Sequence, residues 1–244
     1  MNYHKWPKKI EPLSPSQKQI NDDFMKHWLN VLASKEYYRA IERFNHGYPV
    51  KHAPKDFISS LEIGAGLGKH LIYEKLSHLQ KQNYLALDLR RSMIDEINRK
   101  FPGIKTHVAD CQSKLPFKEN NFDRILAIHV LEHLPNLPVA IKEMHRLCNK
   151  EKGVLTVVIP CEGGFVHSLA RRISAKRIFE KRYKQSYDWF IKREHINRPK
   201  EILEELRLFF KIIHSSYFPL KIPIIHMNLC MGITLKPLIN KRDF

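Results

Sequence analysis

Between residues 57 and 159 five short apolar runs recur, separated by amphipathic stretches long enough to be helices. The runs are FISSLEI (57–63), YLALDL (84–89), IKTHVA (104–109), FDRILAI (122–128) and GVLTVVI (153–159). Apolar runs of strand length predict buried strands, and helix-length connections between them predict a parallel sheet with right-handed crossovers. The ligand crevice of such a sheet lies outside the carboxyl ends of its strands. Upstream, Ser14 before Pro15 is a helix start, a capping hydroxyl followed by a residue whose fixed φ suits the first turn. Ile20, Phe24, Trp28 and Val31 then recur at helical spacing. Gly47, Pro49 and Pro54 predict a break in regular structure before the first strand, with RFNHGYP (43–49) as a lid over the crevice or a linker turn. Downstream, 160–198 reads as an insert, EILEELRLFFK (201–211) as a helix, and IIHSSYFPL and MNLCMGITL as an antiparallel edge hairpin. The expected fold is α/β: a Rossmann-like doubly wound sheet of about seven strands. Residues 1–56 form a helical cap, 57–244 the core, and 160–198 a helical insert after the fifth strand.

The first run leads into LEIGAGLGKH, with Gly64, Gly66 and Gly68 separated by single residues. Glycines there let the backbone turn sharply and approach a ligand with no Cβ in the way. The dinucleotide fingerprint requires its third glycine at position 69, where this chain has Lys69, which weighs against a nicotinamide cofactor. Asp88 closes the second run, where a strand-tip carboxylate can accept hydrogen bonds from both ribose hydroxyls. Asp110 closes the third, with Cys111 behind it, a second acceptor where an adenine amine would be read. A lone aspartate at a strand end reads as a turn or helix cap. Two in register with a glycine loop imply a nucleoside.

These residues resemble the class I S-adenosylmethionine-dependent methyltransferases, in particular the type 11 domain of quinone and small-molecule methyltransferases. The resemblance covers roughly residues 57–160, and its motifs come in order: LEIGAGLG, LALDLRRSM, VADCQSKLPF and NNFDRILAIHVLEHLPN. It implies S-adenosylmethionine as cofactor, with Glu62, Gly64, Ala65, Gly66 and Gly68 around the methionine part. It further implies Asp88 and Leu89 at the ribose, Asp110 and the Cys111 backbone at the adenine, and His129 facing the methionine end. The whole chain also looks like bacterial proteins known only as general methyltransferases of this kind, so the resemblance specifies the cofactor better than the acceptor.

Methyl transfer needs alignment above all, and a general base only for a hydroxyl or an activated carbon. His133 at the rim of the crevice and His195 in the insert are the candidate catalytic residues, with Glu194 and Tyr187 beside the latter. His129, Glu132 and His133 also spell H-x-x-E-H, an inverted zinc-peptidase pattern that pairs two histidines one helical turn apart. Pro135 and Pro138 follow at once and deny it the long helix it needs, so no metal is expected and a zinc hydrolase is a remote alternative. Cys161 after the fifth strand is the position from which a thiolate could attack a pyrimidine, but a second cysteine after the fourth strand is missing.

Charge changes the picture on the acceptor side. The 244 residues carry a net +17, and residues 161–244 hold 17 Lys and Arg against 8 Asp and Glu. Residues 171–193 concentrate nine of these bases against Glu180 and Asp188, a segment that attracts a polyanion, a phosphate group or an acidic membrane surface, or serves only as a solvated face. With an apolar line through Phe165, Leu169 and Ile173, it suits an anionic small-molecule acceptor, such as a phosphate-bearing or lipid-linked saccharide or envelope precursor. RNA is the alternative acceptor, and a non-enzymatic binding module the third class. The four cysteines include no C-x-x-C pair, no apolar run approaches the roughly 18 residues of a membrane span, and the N-terminus lacks a secretory core. Reduced thiols and a cytoplasmic location are expected.

Overall fold

A computed structural model describes residues 5–34, 36–164 and 172–239. Five strands fall within the predicted runs: β1 (Ser60–Ile63), β2 (Tyr84–Asp88), β3 (Lys105–Val108), β4 (Arg124–Ile128) and β5 (Val154–Pro160). All five are parallel. Near the C-terminus a helix, Pro199–Phe209, runs directly into β6 (Phe210–Phe218), which pairs antiparallel with β7 (Cys230–Pro237). β7 lies antiparallel to β5, giving seven strands in the order β3-β2-β1-β4-β5-β7-β6 among the described residues. The chain runs outward from β1 to β3 on one side and from β4 to β5 on the other. The order therefore reverses between β1 and β4, and the crevice expected of a doubly wound sheet opens at their carboxyl ends.

Every residue of β1, β2 and β5 is buried, as a sheet covered on both faces requires. Alternation along the strands sends Leu61, Ile63, Leu85, Leu87 and Ile125 into one core with the helices Leu137–Leu147 and Pro199–Phe209. Tyr84, Ala86 and Leu126 point to the other face, where Ile94 and Ile97 of the helix Arg91–Lys100 close a second core.

The expected break is confined to 52–59, around Pro54, and does not include Gly47 and Pro49. The helix Pro15–Ser34 (α1) is followed by α2 (Glu36–Lys51), which continues through Gly47 and Pro49. Tertiary burial outweighs the local cost of proline here. The Tyr48 ring fills the space above Gly232, where a Cβ would stand 2.4 Å from it. The Tyr48 hydroxyl lies 3.1 Å from Thr234 Oγ1 and 3.0 Å from His214 Nδ1, and the Pro49 carbonyl accepts from Arg124 Nη2 at 3.0 Å. RFNHGYP is thus helix packed on the sheet and not a linker turn.

α1 begins as predicted, with Gln17 N donating to Ser14 Oγ at 3.2 Å and Ser14 N to Gln17 Oε1 at 3.0 Å. Its Phe24 joins two short helices of the 160–198 segment, α6 (Arg177–Tyr183) and α7 (Asp188–Glu194), lying 5.0 Å from the Phe179 ring and 5.1 Å from the Phe190 ring. Cap and insert therefore share a small aromatic core. The side chains of Trp28, Arg172 and Ile173, and all of Phe165, Leu169 and Arg171, lie outside the described residues. None of the described helices is long and apolar enough to cross a membrane.

Candidate functional site

The glycine loop is built for close approach. Gly64, Gly66 and Gly68 have φ of 68°, 55° and 72°, a region that costs other residues about 1–2 kcal/mol. A Cβ on Gly64 would meet Val130 Cγ2 at 2.4 Å, and one on Gly68 would meet Phe101 Cε2 at 2.8 Å, so these two glycines serve packing. Around Gly66 nothing lies within 4 Å of that position, so the middle glycine alone borders open space. The Ala65 amide donates to the Leu87 carbonyl at 3.0 Å, and the Gly66 amide to Asp88 Oδ2 at 2.9 Å. Asp88 Oδ1 accepts from the Arg90 amide at 2.9 Å. Arg90 Nε also approaches Asp88 Oδ1 at 3.5 Å, so of the about four acceptor positions of a carboxylate at least one stays open.

Leu89 is 65% exposed beside it. Asp110 Oδ1 accepts from the Gln112 amide at 2.9 Å, and Gln112 Oε1 accepts from the Asn136 amide at 2.7 Å, tying the third strand's exit to the fourth's. Cys111 is buried, which pushes its thiol up to about 12 and keeps it neutral. Glu62 is turned inward: it is buried, Tyr84 Oη donates to its Oε2 at 2.7 Å, and burial raises its pKa against the pull of His70 and that hydrogen bond. Its carboxylate is engaged inside the fold with Tyr84, beside the Glu74 carboxylate that pairs with Arg124 and His70, each at 2.7 Å.

A second cluster forms where β4 ends. His129 has φ 53°, uncommon for a residue other than glycine, and is held there by its amide donating to the Val158 carbonyl at 2.9 Å. Its Nδ1 lies 3.0 Å from Glu132 Oε1, while its buried Nε2 has no partner among the described residues. Glu132 is 1% exposed, and its Oε2 also has none. Burial opposes the Glu132 charge, but the His129 hydrogen bond and the His133, His129 and His195 charges outweigh it and bring the carboxyl down to about 2.

The insert brings His195 to this place. The Ile196 and Asn197 amides donate to the Glu132 carbonyl at 2.9 and 3.0 Å, and Asn197 Nδ2 donates to the Leu131 and Leu134 carbonyls at 2.7 Å each. The His195 and His133 rings then stand 5.1 Å apart. His133 Nδ1 lies 2.5 Å from the Glu194 carbonyl, and His195 Nδ1 lies 2.6 Å from Glu162 Oε2. Neither acceptor can donate, so both Nδ1 atoms carry a proton, and in the neutral imidazole the lone pair is the one on Nε2.

Sequence spacing pairs His129 with His133; the structure does not. Leu131–His133 is a single 3₁₀ turn, and the group that assembles is Glu132, His133 and His195. Glu162 is the residue that spacing does not reveal, whereas Glu132 enters the sequence reading only through the H-x-x-E-H pattern. Glu194 takes part through its backbone, and Tyr187 is buried in the aromatic core. Cys161 is also buried and its thiol is pushed up to about 12, which leaves it a poor nucleophile at neutral pH.

Part of the basic run is internally neutralised. Lys176 pairs with Asp188 at 3.1 Å, and Arg182 with Asp23 of α1 at 2.9 Å. Arg177 and Lys181 flank an open groove on α6 and have no ion pair among the described residues.

Residues 61–157 match the Methyltransf_11 family, a methyltransferase domain. The chain carries a class I S-adenosylmethionine-dependent methyltransferase domain. The cofactor of this family is S-adenosylmethionine. The methyltransferase domain is 26% identical over 127 residues to a malonyl-[acyl-carrier protein] O-methyltransferase of Halorhodospira halophila, 51% of this chain and 41% of that one. It is 28% identical over 135 residues to an uncharacterized protein of Methanocaldococcus jannaschii, 45% of this chain and 57% of that one. The chain thus spans about half the length of these relatives. The methyltransferase fold also matches the crystal structure of the N-methyltransferase NodS from Bradyrhizobium japonicum, in complex with S-adenosyl-L-homocysteine. The TM-score is 0.58 at 12% identity, over 89% of this chain and 98% of that one.

Proposed function

We propose that the protein transfers the methyl group of S-adenosylmethionine to a small-molecule acceptor. The observation that carries this reading is the combination at the β1–β4 switch point: a middle glycine that borders open space beside a carboxylate with unused acceptor capacity. When bound, the cofactor supplies an electrophilic methyl group on a sulfonium that is already a good leaving group. The protein's own tasks are therefore to hold, align and manage a proton.

In this reading Gly64, Ala65, Gly66 and Gly68 bring backbone up to the methionine part. Asp88 accepts from the ribose hydroxyls with Leu89 alongside, and Asp110 and the Cys111 amide take the adenine edge. His129 faces the methionine end through the Nε2 that none of the described residues satisfies. Glu62 supports the loop from within, since its carboxylate is engaged with Tyr84. His133 and His195 act on the acceptor side, where Nε2 lone pairs are suited to take a proton from a hydroxyl. Residues 160–198 shape the acceptor site, with Arg177 and Lys181 drawing an anionic group.

The test is transfer of labelled methyl from S-adenosylmethionine to fractionated cell extract. Label is expected in anionic small molecules or lipid-linked saccharides. Label confined to RNA would replace the acceptor assignment, and no transfer to any fraction by protein that binds the cofactor would favour a binding module.

A further inference from the structure

We propose that Glu132, His133 and His195 form a binding site for a divalent metal ion of the zinc class. One ligand atom from each residue lies within 4.8 Å of the other two. Tetrahedral ligands about 2.0–2.2 Å from a common ion stand roughly 3.3 to 3.6 Å from one another, so the side chains need close by up to about 1.5 Å, a range that side-chain rotation covers. Two imidazoles and one carboxylate are a known zinc donor set that leaves a coordination position open.

Three features distinguish this group from a chance cluster. Each histidine donates Nδ1–H to a fixed oxygen, the Glu194 carbonyl at 2.5 Å and Glu162 Oε2 at 2.6 Å. Outer acceptors of this kind fix the tautomer of metal-bound histidines and leave Nε2 as the ligand. Glu132 is 1% exposed, and its Oε2 has no hydrogen-bond partner among the described residues. An ionised oxygen buried without a partner is costly, and a cation removes that cost. Lastly, Asn197 bonds to two carbonyls of the 131–134 turn and so locks His195 against Glu132 and His133. His129 Nδ1 lies 3.0 Å from Glu132 Oε1, the oxygen that is also 3.9 Å from His133 Nε2, and His129 stays outside the ligand set.

Ion binding does not depend on the methyl-transfer reading. Its consequence does: with an ion bound, the two Nε2 atoms are ligands, and polarisation of an acceptor hydroxyl passes from imidazole to the cation in its open position.

The experiment uses tag-free full-length protein stripped with chelator, titrated with Zn²⁺ by calorimetry and with Co²⁺ by visible absorption, without cofactor or acceptor. One ion per chain is expected, with Co²⁺ bands typical of low coordination number. His195→Ala and Glu132→Gln should weaken binding about 100-fold or more. Glu162→Ala, which removes the outer acceptor of His195, should weaken it about 10- to 100-fold. His226→Ala, outside the cluster, should bind as the wild type does. Circular dichroism and S-adenosylmethionine titration of the same variants check that the fold is intact. Cofactor binding with no Zn²⁺ or Co²⁺ binding at about 100 µM would overturn the metal site and leave the methyltransferase reading standing. Wild-type affinity in the well-folded His195→Ala variant would overturn it equally.

Discussion

The Asp88 carboxylate accepts from the Gly66 amide at 2.9 Å, tying the tip of β2 to the loop that leaves β1. The loop is thereby set open at one glycine and packed shut at its neighbours.

That difference separates two alanine substitutions. Gly66→Ala introduces a Cβ into open space at φ 55°, so its stability cost should be about 1–2 kcal/mol, with cofactor affinity falling because the cradle is filled. Gly64→Ala adds a clash with Val130 Cγ2 at 2.4 Å, and should lose about 1–3 kcal/mol more. Urea denaturation and cofactor titration of both variants check this, and equal stability loss would contradict it.

Asn197 is expected to act as a positioning residue. Asn197→Ala leaves the Leu131 and Leu134 carbonyls without their donor and frees His195 from Glu132 and His133. Stability should fall by about 1–3 kcal/mol. Turnover should fall about 10- to 100-fold with cofactor affinity unchanged. Parallel kinetics and calorimetry make the test, and an equal loss in both would point to general destabilisation.

Glu132 gives a pH signature. Its carboxyl is held at about 2 against an ordinary 4.5, so its contribution to stability is full above about pH 4.5 and is lost as pH falls toward 2. The deficit of Glu132→Gln relative to wild type should therefore be largest near neutrality and shrink below pH 4.5. Denaturation between pH 7 and 3 measures it, and a deficit that does not vary with pH would contradict the assignment.

The basic insert is tested at its unpaired positions. Reversing Arg177 and Lys181 to Glu should raise the acceptor KM and leave cofactor affinity unchanged, because neither residue borders the glycine loop. Lys176 and Arg182 already neutralise Asp188 and Asp23, so their reversal should cost stability instead. A steep dependence of RNA binding on salt, lost in the double reversal, would favour a polynucleotide acceptor.

The sheet was legible because its strands are buried on both faces and so read as continuous apolar runs. The glycine loop and Asp88 were legible because each lies within a few residues of a strand end. α2 was not: Gly47 and Pro49 carry strong local breaking signals, and only the contacts of Tyr48 with Gly232 and Thr234 outweigh them. The histidine cluster was half visible. His133 and His195 were singled out separately, but their juxtaposition depends on hydrogen bonds across 63 and 66 residues from Asn197, which no local pattern encodes. Glu62 carries a tertiary contact that the motif does not encode, the hydrogen bond that Tyr84 donates to its Oε2.

The central claim is that this crevice holds S-adenosylmethionine through Asp88. Calorimetric titration of the cofactor into wild type and Asp88→Ala tests it directly, because losing one carboxylate strands two ribose hydroxyls and frees the Gly66 and Arg90 amides. The account predicts saturable binding by wild type, affinity lower by about tenfold or more in the variant, and no heat from NAD in either. Equal S-adenosylmethionine affinity in a well-folded Asp88→Ala protein would contradict it.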